Sequence, residues 1–423
     1  MQSGPSGAKH ARGTATALAS LLAPEAVDAH AIGFSTDDAL RAIRTHLGMD
    51  VAFVSEFTGG RRVFRRVDAA PGRCPVREGE AGPLEDSYCQ RVVDGRLPEL
   101  IHDAAEVPAA AELPVTSALP VGAHLSVPIR LADGRVYGTF CCFSAQPDHT
   151  LTDRDLAMMR IFADLTGAHI DRTLQEERRT DEAEARIRGV LGGDGMSMVF
   201  QPIVDIDRGR VVGFEALARF DGEPSRGPDA WFAEAAAVGL GVDLELAAVE
   251  LALRALGELP DDVYVGVNVS PATVLSGRLC AVLAGVPQRR VVLELTEHDA
   301  IEAYDELVVE LGRLNSRGVR TAVDDAGAGY ATFRHILRLR PDVIKLDMAL
   351  TRDVDTDANR RALASALIAF GRETGSAIVA EGVETAGELR TLRALGVTTA
   401  QGYHLGRPST LPALHDVQAA TRS

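Results

Sequence analysis

The sequence predicts an α+β domain followed by an α/β barrel of the TIM-like (β/α)8 class, and three observations lead to this prediction. Thr58-Gly59-Gly60 and Ala132-Asp133-Gly134 each separate two strand-like segments, as the turn of a β-hairpin does. From Met198 onward, eight strand-like segments alternate with mostly helical segments over about 225 residues, as in a (β/α)8 barrel. Most of these strand-like segments end in acidic, amide or cationic residues.

The first domain is predicted to lie over residues 30–170, after a flexible tail over 1–29 that is rich in glycine, serine and alanine. Its predicted elements are a helix over 35–47, strands over 51–57 and 61–66, a helix over 84–94, and strands over 124–130 and 136–144. Two hairpins with a helix between them form an α+β sheet, whereas a βαβ unit would alternate single strands with helices.

A long helix is predicted to connect the two domains, beginning with Thr152 and Asp155 as a capping box. Apolar residues recur at helical spacing over its first part, at Leu156, Met159, Ala163, Ile170 and Leu174. This stripe fits two interpretations equally well, a seam between the two chains of a homodimer or packing of the helix on its own sheet. The polar segment EERRTDEAEAR follows, so 171–195 is predicted to be a helical linker that ends in a glycine-rich boundary.

The composition is that of a globular protein with an acidic balance. The 423 residues include 44 Lys+Arg and 60 Asp+Glu, for a formal net charge of −16. At roughly 150 residues per domain this length predicts two or three domains, and no apolar run approaches the ~18 residues of a membrane span. The acidic balance argues against nucleic acid as a partner.

The cysteine pattern predicts a reducing compartment. The five cysteines, at positions 74, 89, 141, 142 and 280, show no CxxC spacing, and the segment MQSGPSGAKHARG lacks the apolar stretch of a secretory leader. Reduced thiols and a cytoplasmic location are therefore expected.

Lysine and asparagine are scarce in this sequence. Lys9 and Lys345 are the only lysines, and the only asparagines are Asn268, Asn315 and Asn359. A codon bias toward arginine and away from lysine and asparagine explains the scarcity itself. A lysine or asparagine that persists in a folded segment is then a candidate functional residue, because arginine does not reproduce a compact ammonium donor.

Polar side chains mark the ends of the predicted barrel strands. They are Glu215, Asn268, Glu294 with Glu297, Asp324 with Asp325, Lys345, Glu381 with Glu384, and Gln401. Taken singly, each acidic residue is typical of a helix cap or a turn. The strand ends of a barrel converge on the face that carries active sites, so we expect these side chains to lie together.

Seven carboxylates on one rim predict bound cations, because they would otherwise repel one another. The ligands are oxygens, with no histidine or cysteine at the strand ends, which favours Mg²⁺ or Mn²⁺ over zinc. Two such ions in an oxygen-rich site are typical of phosphoryl chemistry. Arg219 and Arg407 are suited to bind a phosphate or a purine edge.

In the first domain, the segments SYCQRVVDGRLPELIHDA and HLSVPIRLADGRVYGTFCCFSAQPDHTLTDRDLAMMRIFADLTG resemble a GAF domain. The resemblance implies a cytoplasmic sensory module with a possible small-molecule ligand of unknown identity, because a fold alone does not determine what is sensed. Cys89 and His124 fit two roles, as anchors of a chromophore or haem or as core or surface residues without a chemical role, and we favour the second.

The barrel contains QPI, EALAR, VNVSP, LELTE, DDAGAGY, IKLD, AEGVET and QGYHLGRP. In this order and spacing these motifs resemble the EAL domain family of cyclic di-GMP phosphodiesterases, with the predicted domain over 196–415. The resemblance implies a TIM-like barrel that cuts one phosphodiester of cyclic di-GMP to give linear pGpG, with two ions of Mg²⁺ or Mn²⁺.

The resemblance also implies a role for each matching residue. The implied metal ligands are Glu215, Asn268, Glu294 and Asp324 for a first ion and Asp325 for a second. Three residues form the implied catalytic group. Lys345 is implied to contact the attacking water or its metal, and Glu381 to act as general base or as a second-metal contact. Glu297 is implied to steady the loop after strand five. The substrate side of the rim comprises Gln201, Leu217, Arg219, Glu384, Gln401 and Arg407.

Three residues depart from the family pattern. Ala326 and Ala328 stand in place of an aromatic and a hydroxyl residue, and Phe220 stands in place of a tryptophan. Both aspartates of the loop remain, so the expected function is an active phosphodiesterase regulated by the GAF domain. A non-catalytic cyclic di-GMP receptor is the alternative. A glycosidase with two carboxylates would leave Lys345 and Asn268 without a role.

Overall fold

A computed structural model describes residues 35–73, 75–193, 195–222, 225–295, 303–326 and 330–411. The chain divides into two compact units, one up to Arg178 and one from Arg179 onward. The predicted tail over 1–29, the predicted catalytic residue Glu297 and the substituted loop residue Ala328 lie outside the described residues. None of the helices in the described ranges combines the length and the apolar composition that crossing a lipid bilayer requires.

The first unit contains a six-stranded antiparallel sheet in the order β3-β2-β1-β6-β5-β4. Its strands are β1 Val51–Thr58, β2 Arg61–Ala69, β3 Ala81–Pro83, β4 Leu100–Ile101, β5 Ala123–Arg130 and β6 Val136–Ser144. The two predicted hairpins are β1–β2 and β5–β6, and the predicted α+β fold is confirmed. The helices of this unit are Thr36–Leu47, Tyr88–Val93, Pro108–Ala111, Pro114–Ala118 and the first part of Asp153–Leu191.

The helix predicted over 84–94 is shorter in the structure, and its start has a local cause. The Ser87 side chain accepts a hydrogen bond from the backbone N–H of Gln90, so the helix begins at Tyr88. The residues before Ser87 form a turn, in which Ser87 N–H donates to the Leu84 carbonyl.

Alternation along the strands gives the sheet two apolar faces. Val54, Cys142 and Phe140 pack on one face with the long helix, whereas Phe53, Cys141 and Phe143 pack on the other. Leu156, Met159 and Ala163 of the predicted helical stripe are buried against the first face. This part of the stripe therefore packs on its own sheet.

The second unit is a closed eight-stranded barrel in the order β10-β11-β12-β13-β14-β7-β8-β9, which confirms the predicted barrel. Its strands are β7 Met196–Asp205, β8 Arg210–Phe220, β9 Tyr264–Val269, β10 Val291–Leu295, β11 Arg320–Ala326, β12 Val343–Leu346, β13 Ala377–Ala380 and β14 Thr399–Gln401. Its helices are Pro228–Ala237, Gly241–Leu253, Pro271–Leu275, Leu279–Val282, Tyr304–Asn315, Tyr330–Leu339, Met348–Thr351, Ala358–Thr374 and Ala386–Ala394.

One strand of the barrel differs from the all-parallel arrangement of a regular (β/α)8 barrel. β7 is antiparallel to both of its neighbours, β8 and β14, whereas the other described pairs are parallel. A turn over 206–209 joins β7 to β8, and a connection this short permits only a hairpin.

A cluster of charged side chains joins the end of the long helix to the first helix of the barrel unit. The Glu234 carboxylate accepts hydrogen bonds from Arg226 and from Arg186, the latter over 2.7 Å, and the Arg226 guanidinium lies 4.3 Å above the ring of Trp231. The hydrogen bonds from Arg226 and then Arg186 lower the pKa of Glu234 to about 2. Trp231 itself is buried against Ile187, as a packing residue.

Glu234→Gln should destabilise the barrel by about 1.5–3 kcal/mol near neutral pH, because it removes an ionised acceptor of two guanidinium donors. The folded-state pKa lies below the unfolded value, so this contribution is present above about pH 4.5 and is lost as the pH falls toward 2. The measurement is denaturant unfolding of both proteins at several pH values, with Glu373→Gln on the exposed face of helix Ala358–Thr374 as control. An equal difference at pH values of about 7 and about 3 would contradict the ion-pair assignment.

Candidate active site

Each strand of the barrel, or the residue directly after it, contributes at least one polar side chain to a single cluster. Gln201 comes from the antiparallel β7, and Glu381 follows directly after the end of β13. The other six strands contribute, in chain order, Glu215, Asn268, Glu294, Asp324, Lys345 and Gln401. Neighbouring strands are in register here, since Glu294 pairs with Asn268. The convergence expected from the strand ends is therefore present in the structure.

Lys345 lies at the centre of the cluster and is 1% exposed. Its Nζ atom is 2.6 Å from Glu294 Oε2, 2.8 Å from Glu381 Oε1 and 3.2 Å from Asp324 Oδ1, and Glu215 Oε1 is at 3.6 Å. A buried ammonium is stable only when it is paired in this way. The lysine that stands out in the composition is thus the organising charge of the site.

The pKa values of the cluster reflect burial and mutual charge. Burial opposes ionisation of Lys345, but the carboxylates of Asp324, Glu215, Glu294 and Glu381 raise its pKa well above the usual value. Burial raises the pKa of Glu294 to about 8, although Lys345 acts in the opposite direction. Burial likewise raises the pKa of Glu381.

The two adjacent aspartates reach the same site because the strand is irregular. Successive side chains of a regular strand point to opposite faces, so Asp324 and Asp325 would diverge. The β11–β12 register shifts between Val323 and Ala326, and Asp325 has a left-handed φ of 55°. Such a conformation is costly outside glycine and is typical of functional sites. Burial, followed by the charge of Asp324, raises the pKa of Asp325 to about 6.

The chemistry of the donor set fits two divalent cations. Glu215, Glu294 and Asp324 bring carboxylate oxygens within 4.8 Å of one another, and Asp324 forms a second such group with Asp325 and Glu381. Asn268 donates its Nδ2 to Glu215 over 3.3 Å, which leaves its amide oxygen available as a ligand. Five carboxylates and one ammonium carry four net negative charges when all are ionised, the charge that two divalent cations neutralise.

A pair of glutamines closes one side of the cluster. Gln401 Nε2 donates to Gln201 Oε1 over 2.9 Å and to Glu215, and Gln201 Nε2 donates to the Gly406 carbonyl over 3.2 Å. Gln401 Oε1 is buried and has no hydrogen-bond partner in the described part of the chain. A buried acceptor without a partner indicates a place where a ligand or water binds.

The remaining predicted substrate residues lie around the cluster and not within it. Leu217 and Arg219 are half-buried and share the face of β8 that carries Glu215, since alternate residues face one side. Arg407 is exposed and stacks 4.3 Å above the Tyr403 ring. Glu384 is also exposed and pairs with Arg352 over 2.9 Å, so the structure does not bring it into the cluster.

Gly266 is a site residue that the sequence reasoning missed. It lies in β9 beside Glu294, and a Cβ atom at this position would be only 2.1 Å from Glu294 Oε1. The missing side chain therefore provides the space that the carboxylate occupies. A glycine inside the strand-like segment VYVGVNVS was the available signal, because such a glycine marks a close approach.

Comparison with known proteins agrees with the fold of both units. The EAL domain model matches residues 184–408, more than half of the chain, and a GAF domain model matches residues 36–171. The Escherichia coli protein named probable cyclic di-GMP phosphodiesterase PdeD is 31% identical over 221 residues, which are 50% of this chain and 41% of PdeD. The chain spans about a third of the length of two further curated relatives.

Solved structures also resemble this chain. The complex of the PaMucR phosphodiesterase with c-di-GMP matches 55% of this chain and 99% of that chain, with a TM-score of 0.50 and 29% identity. The EAL enzyme Bd1971, in its cAMP- and cyclic-di-GMP-bound form, matches 88% of this chain and 93% of that chain, with a TM-score of 0.54. Because the two sequences are only 16% identical, this likeness concerns the fold alone. The chain therefore belongs to the EAL domain family and carries a GAF domain ahead of its EAL domain.

Proposed function

We propose that this chain hydrolyses cyclic di-GMP to linear pGpG in the presence of Mg²⁺ or Mn²⁺. The observation that carries the proposal is the set of four carboxylates around Lys345, which together with Asp325 form two overlapping groups of candidate cation ligands. The substrate is inferred from PdeD and PaMucR, which are named for activity on, or binding of, cyclic di-GMP.

The proposed ligands fall into two sets that share one residue. Glu215, Asn268, Glu294 and Asp324 would hold one ion, and Asp324, Asp325 and Glu381 would hold the other. Bound divalent cations would neutralise the phosphodiester charge and make water a better nucleophile. A non-catalytic receptor would not require a second group of ligands, and for this reason we favour the enzyme.

The protein's own residues would orient the reactants. Lys345 fixes the carboxylates of Glu294 and Glu381 through contacts of 2.6 and 2.8 Å, so their geometry is set before substrate arrives. Glu381 is the proposed acceptor of a proton from the attacking water. Arg219 and Arg407 are the proposed contacts to the phosphate or guanine, as donors that suit both.

The proposal includes a cytoplasmic location and regulation by the GAF domain. The four cysteines in the described residues are free thiols, which suits a reducing compartment. Helix Asp153–Leu191 begins in the GAF unit and continues past Arg179 into the barrel unit, so we assign to it the transmission of a GAF signal.

A homodimer is also part of the proposal, and its seam is not the stripe that packs on the sheet. Ile161 and Leu165 of the long helix are 46% and 40% exposed, although both are large apolar side chains. Met158 is half-buried at the edge of the sheet-side core, and from it to Ile161 and Leu165 the spacing alternates between three and four residues, as in a coiled-coil seam.

Purified protein with Mg²⁺ or Mn²⁺ should convert cyclic di-GMP to pGpG, as measured by chromatography. Glu215→Ala should lower the rate at least about a hundredfold, because it removes a proposed ligand and the partner of Gln401. Glu373→Ala on an exposed helix face is the control and should retain the rate. Unchanged turnover in Glu215→Ala would refute the site, and substrate binding without turnover in the unmodified chain would support the receptor.

Gly266→Ala should weaken Mg²⁺ binding about 10- to 100-fold, because its Cβ atom displaces the Glu294 carboxylate. The measurement is the Mg²⁺ concentration that gives half of the maximal increase in unfolding temperature. Gly285→Ala is the matched control, since a Cβ atom there meets no atom within 4 Å. If both variants bind Mg²⁺ equally well, Glu294 is not a ligand.

Replacing Ile161 and Leu165 together by aspartate should convert the protein from dimer to monomer, because two charges would face each other across the proposed seam. Light scattering at micromolar concentration measures the mass. The control exchanges the two side-chain types, Ile161→Leu with Leu165→Ile, which preserves the apolar face. A monomeric unmodified chain, or a dimeric aspartate variant, would disprove this seam.

A further inference from the structure

Two buried thiols face each other inside the GAF unit. Cys89 lies on helix Tyr88–Val93 and Cys141 lies on β6, and their Sγ atoms are 3.8 Å apart. Both are free and at most 1% exposed. A disulfide needs an S–S separation of about 2 Å, so a movement of less than about 2 Å would join them. The two cysteines are 52 residues apart in sequence, so only the fold brings them together.

Cys89 lines a small cavity that two nitrogen atoms without hydrogen-bond partners in the described residues also border. The cavity measures about 20 Å³, and its lining includes Arg62, Cys89 and His124. His124 is 3% exposed, and neither its Nδ1 atom nor Arg62 Nε has a hydrogen-bond partner in the described part of the chain. The rest of the lining is mostly aromatic and aliphatic, but these two nitrogens can hydrogen-bond to a molecule as small as water or hydrogen peroxide. It has no room for a haem or a nucleotide.

A buried network of polar side chains contacts Cys141 next to Cys89. Its Sγ atom is 3.0 Å from both Ser126 Oγ and Thr139 Oγ1, and Thr139 Oγ1 lies 2.8 Å from Ser55 Oγ. All these side chains are fully buried on a sheet face that otherwise carries Val51, Phe53 and Phe143. A buried polar network whose members are hydrogen-bonded to one another holds each member in one orientation. Here the network orients the Cys141 thiol beside Cys89.

The charges around Cys89 favour its thiolate. A hydrogen bond from Cys141 lowers the pKa of Cys89 against the effect of burial, and the positive charge of Arg62 acts in the same direction as the hydrogen bond. The adjacent Cys142 provides the contrast. It points to the opposite face of the sheet, where its Sγ atom lies 3.8 Å from the Met159 sulfur, and burial raises its pKa.

We propose that Cys89 and Cys141 are a reactive thiol pair that reduces a small hydroperoxide, with Cys89 as the attacking and Cys141 as the resolving residue. The pair is enclosed, and the cavity admits only a small oxidant. This assignment concerns the GAF unit and is independent of the chemistry proposed for the barrel.

The reaction has two balanced steps. The Cys89 thiolate attacks one oxygen of hydrogen peroxide, so an S–O bond forms and the O–O bond breaks. The leaving hydroxide takes a proton to give water, and the Cys89 sulfenic acid remains. The Cys141 thiol then attacks the Cys89 sulfur and displaces a second water, which leaves the Cys89–Cys141 disulfide. Two thiols are oxidised and one peroxide is reduced.

The experiment treats the full chain with hydrogen peroxide in a background of Cys74→Ser and Cys280→Ser. Non-reducing peptide mass spectrometry should find Cys89 and Cys141 joined in one product that is two hydrogen atoms lighter. In the Cys141→Ser variant, dimedone should trap a sulfenic acid at Cys89. Cys89→Ser should give neither product, and Arg62→Met should slow the oxidation of Cys89 about tenfold, because it removes the nearby cation.

Cys142→Ser is the matched control, since it removes the neighbouring buried thiol and should leave the rate of disulfide formation unchanged. Circular dichroism of each variant checks that the sheet is intact. The proposal is overturned if Cys89 reacts no faster than Cys142, or if the disulfide forms at the same rate in the Arg62→Met variant. It is also overturned if folded Cys141→Ser protein yields no trapped sulfenic acid.

Discussion

The barrel depends on the buried ammonium of Lys345 and the carboxylates that surround it. Burying one charge in a protein interior is costly, and burying several is tolerable only when their geometry is well matched. Each carboxylate comes from a different strand or strand end, so the match requires that several strand registers be correct at once. Below this polar layer the barrel interior is apolar, with Ile203, Val292, Ala322, Val343 and Val379 packed together. The apolar layer holds the strands, and the polar layer specifies their alignment.

The sequence was most informative where chemistry conflicts with strand formation. An asparagine between valines, two adjacent aspartates and the one lysine of the described residues are poor strand material. Asn268, Asp324 and Lys345 all lie in the cluster. The closed barrel and the antiparallel sheet of the GAF unit were likewise predictable, because turn residues and alternation mark their strands.

Other features could not be predicted because they depend on contacts between distant segments. The left-handed backbone of Asp325 follows from a register shift against β12, which the local sequence does not reveal. Glu384 was assigned to the substrate side of the rim, yet its carboxylate is taken by Arg352, a partner that only the fold supplies. The apolar stripe of the long helix was also only partly predictable. Periodicity predicted a buried face at Leu156 and Met159, but the surface that covers it emerged only from the sheet.

The barrel closes by pairing its first strand, β7, with its last, β14. β7 lies between β14 and β8, so the first and last strands of the barrel are hydrogen-bonded neighbours. Beyond β14, Ser409 also exchanges two backbone hydrogen bonds with Phe200 of β7. Ends that meet in this way are those that circular permutation tolerates. If the segment that follows β14 were linked to the start of β7 and the chain were opened in another loop, the barrel would begin at a different strand. The same polar cluster would still form.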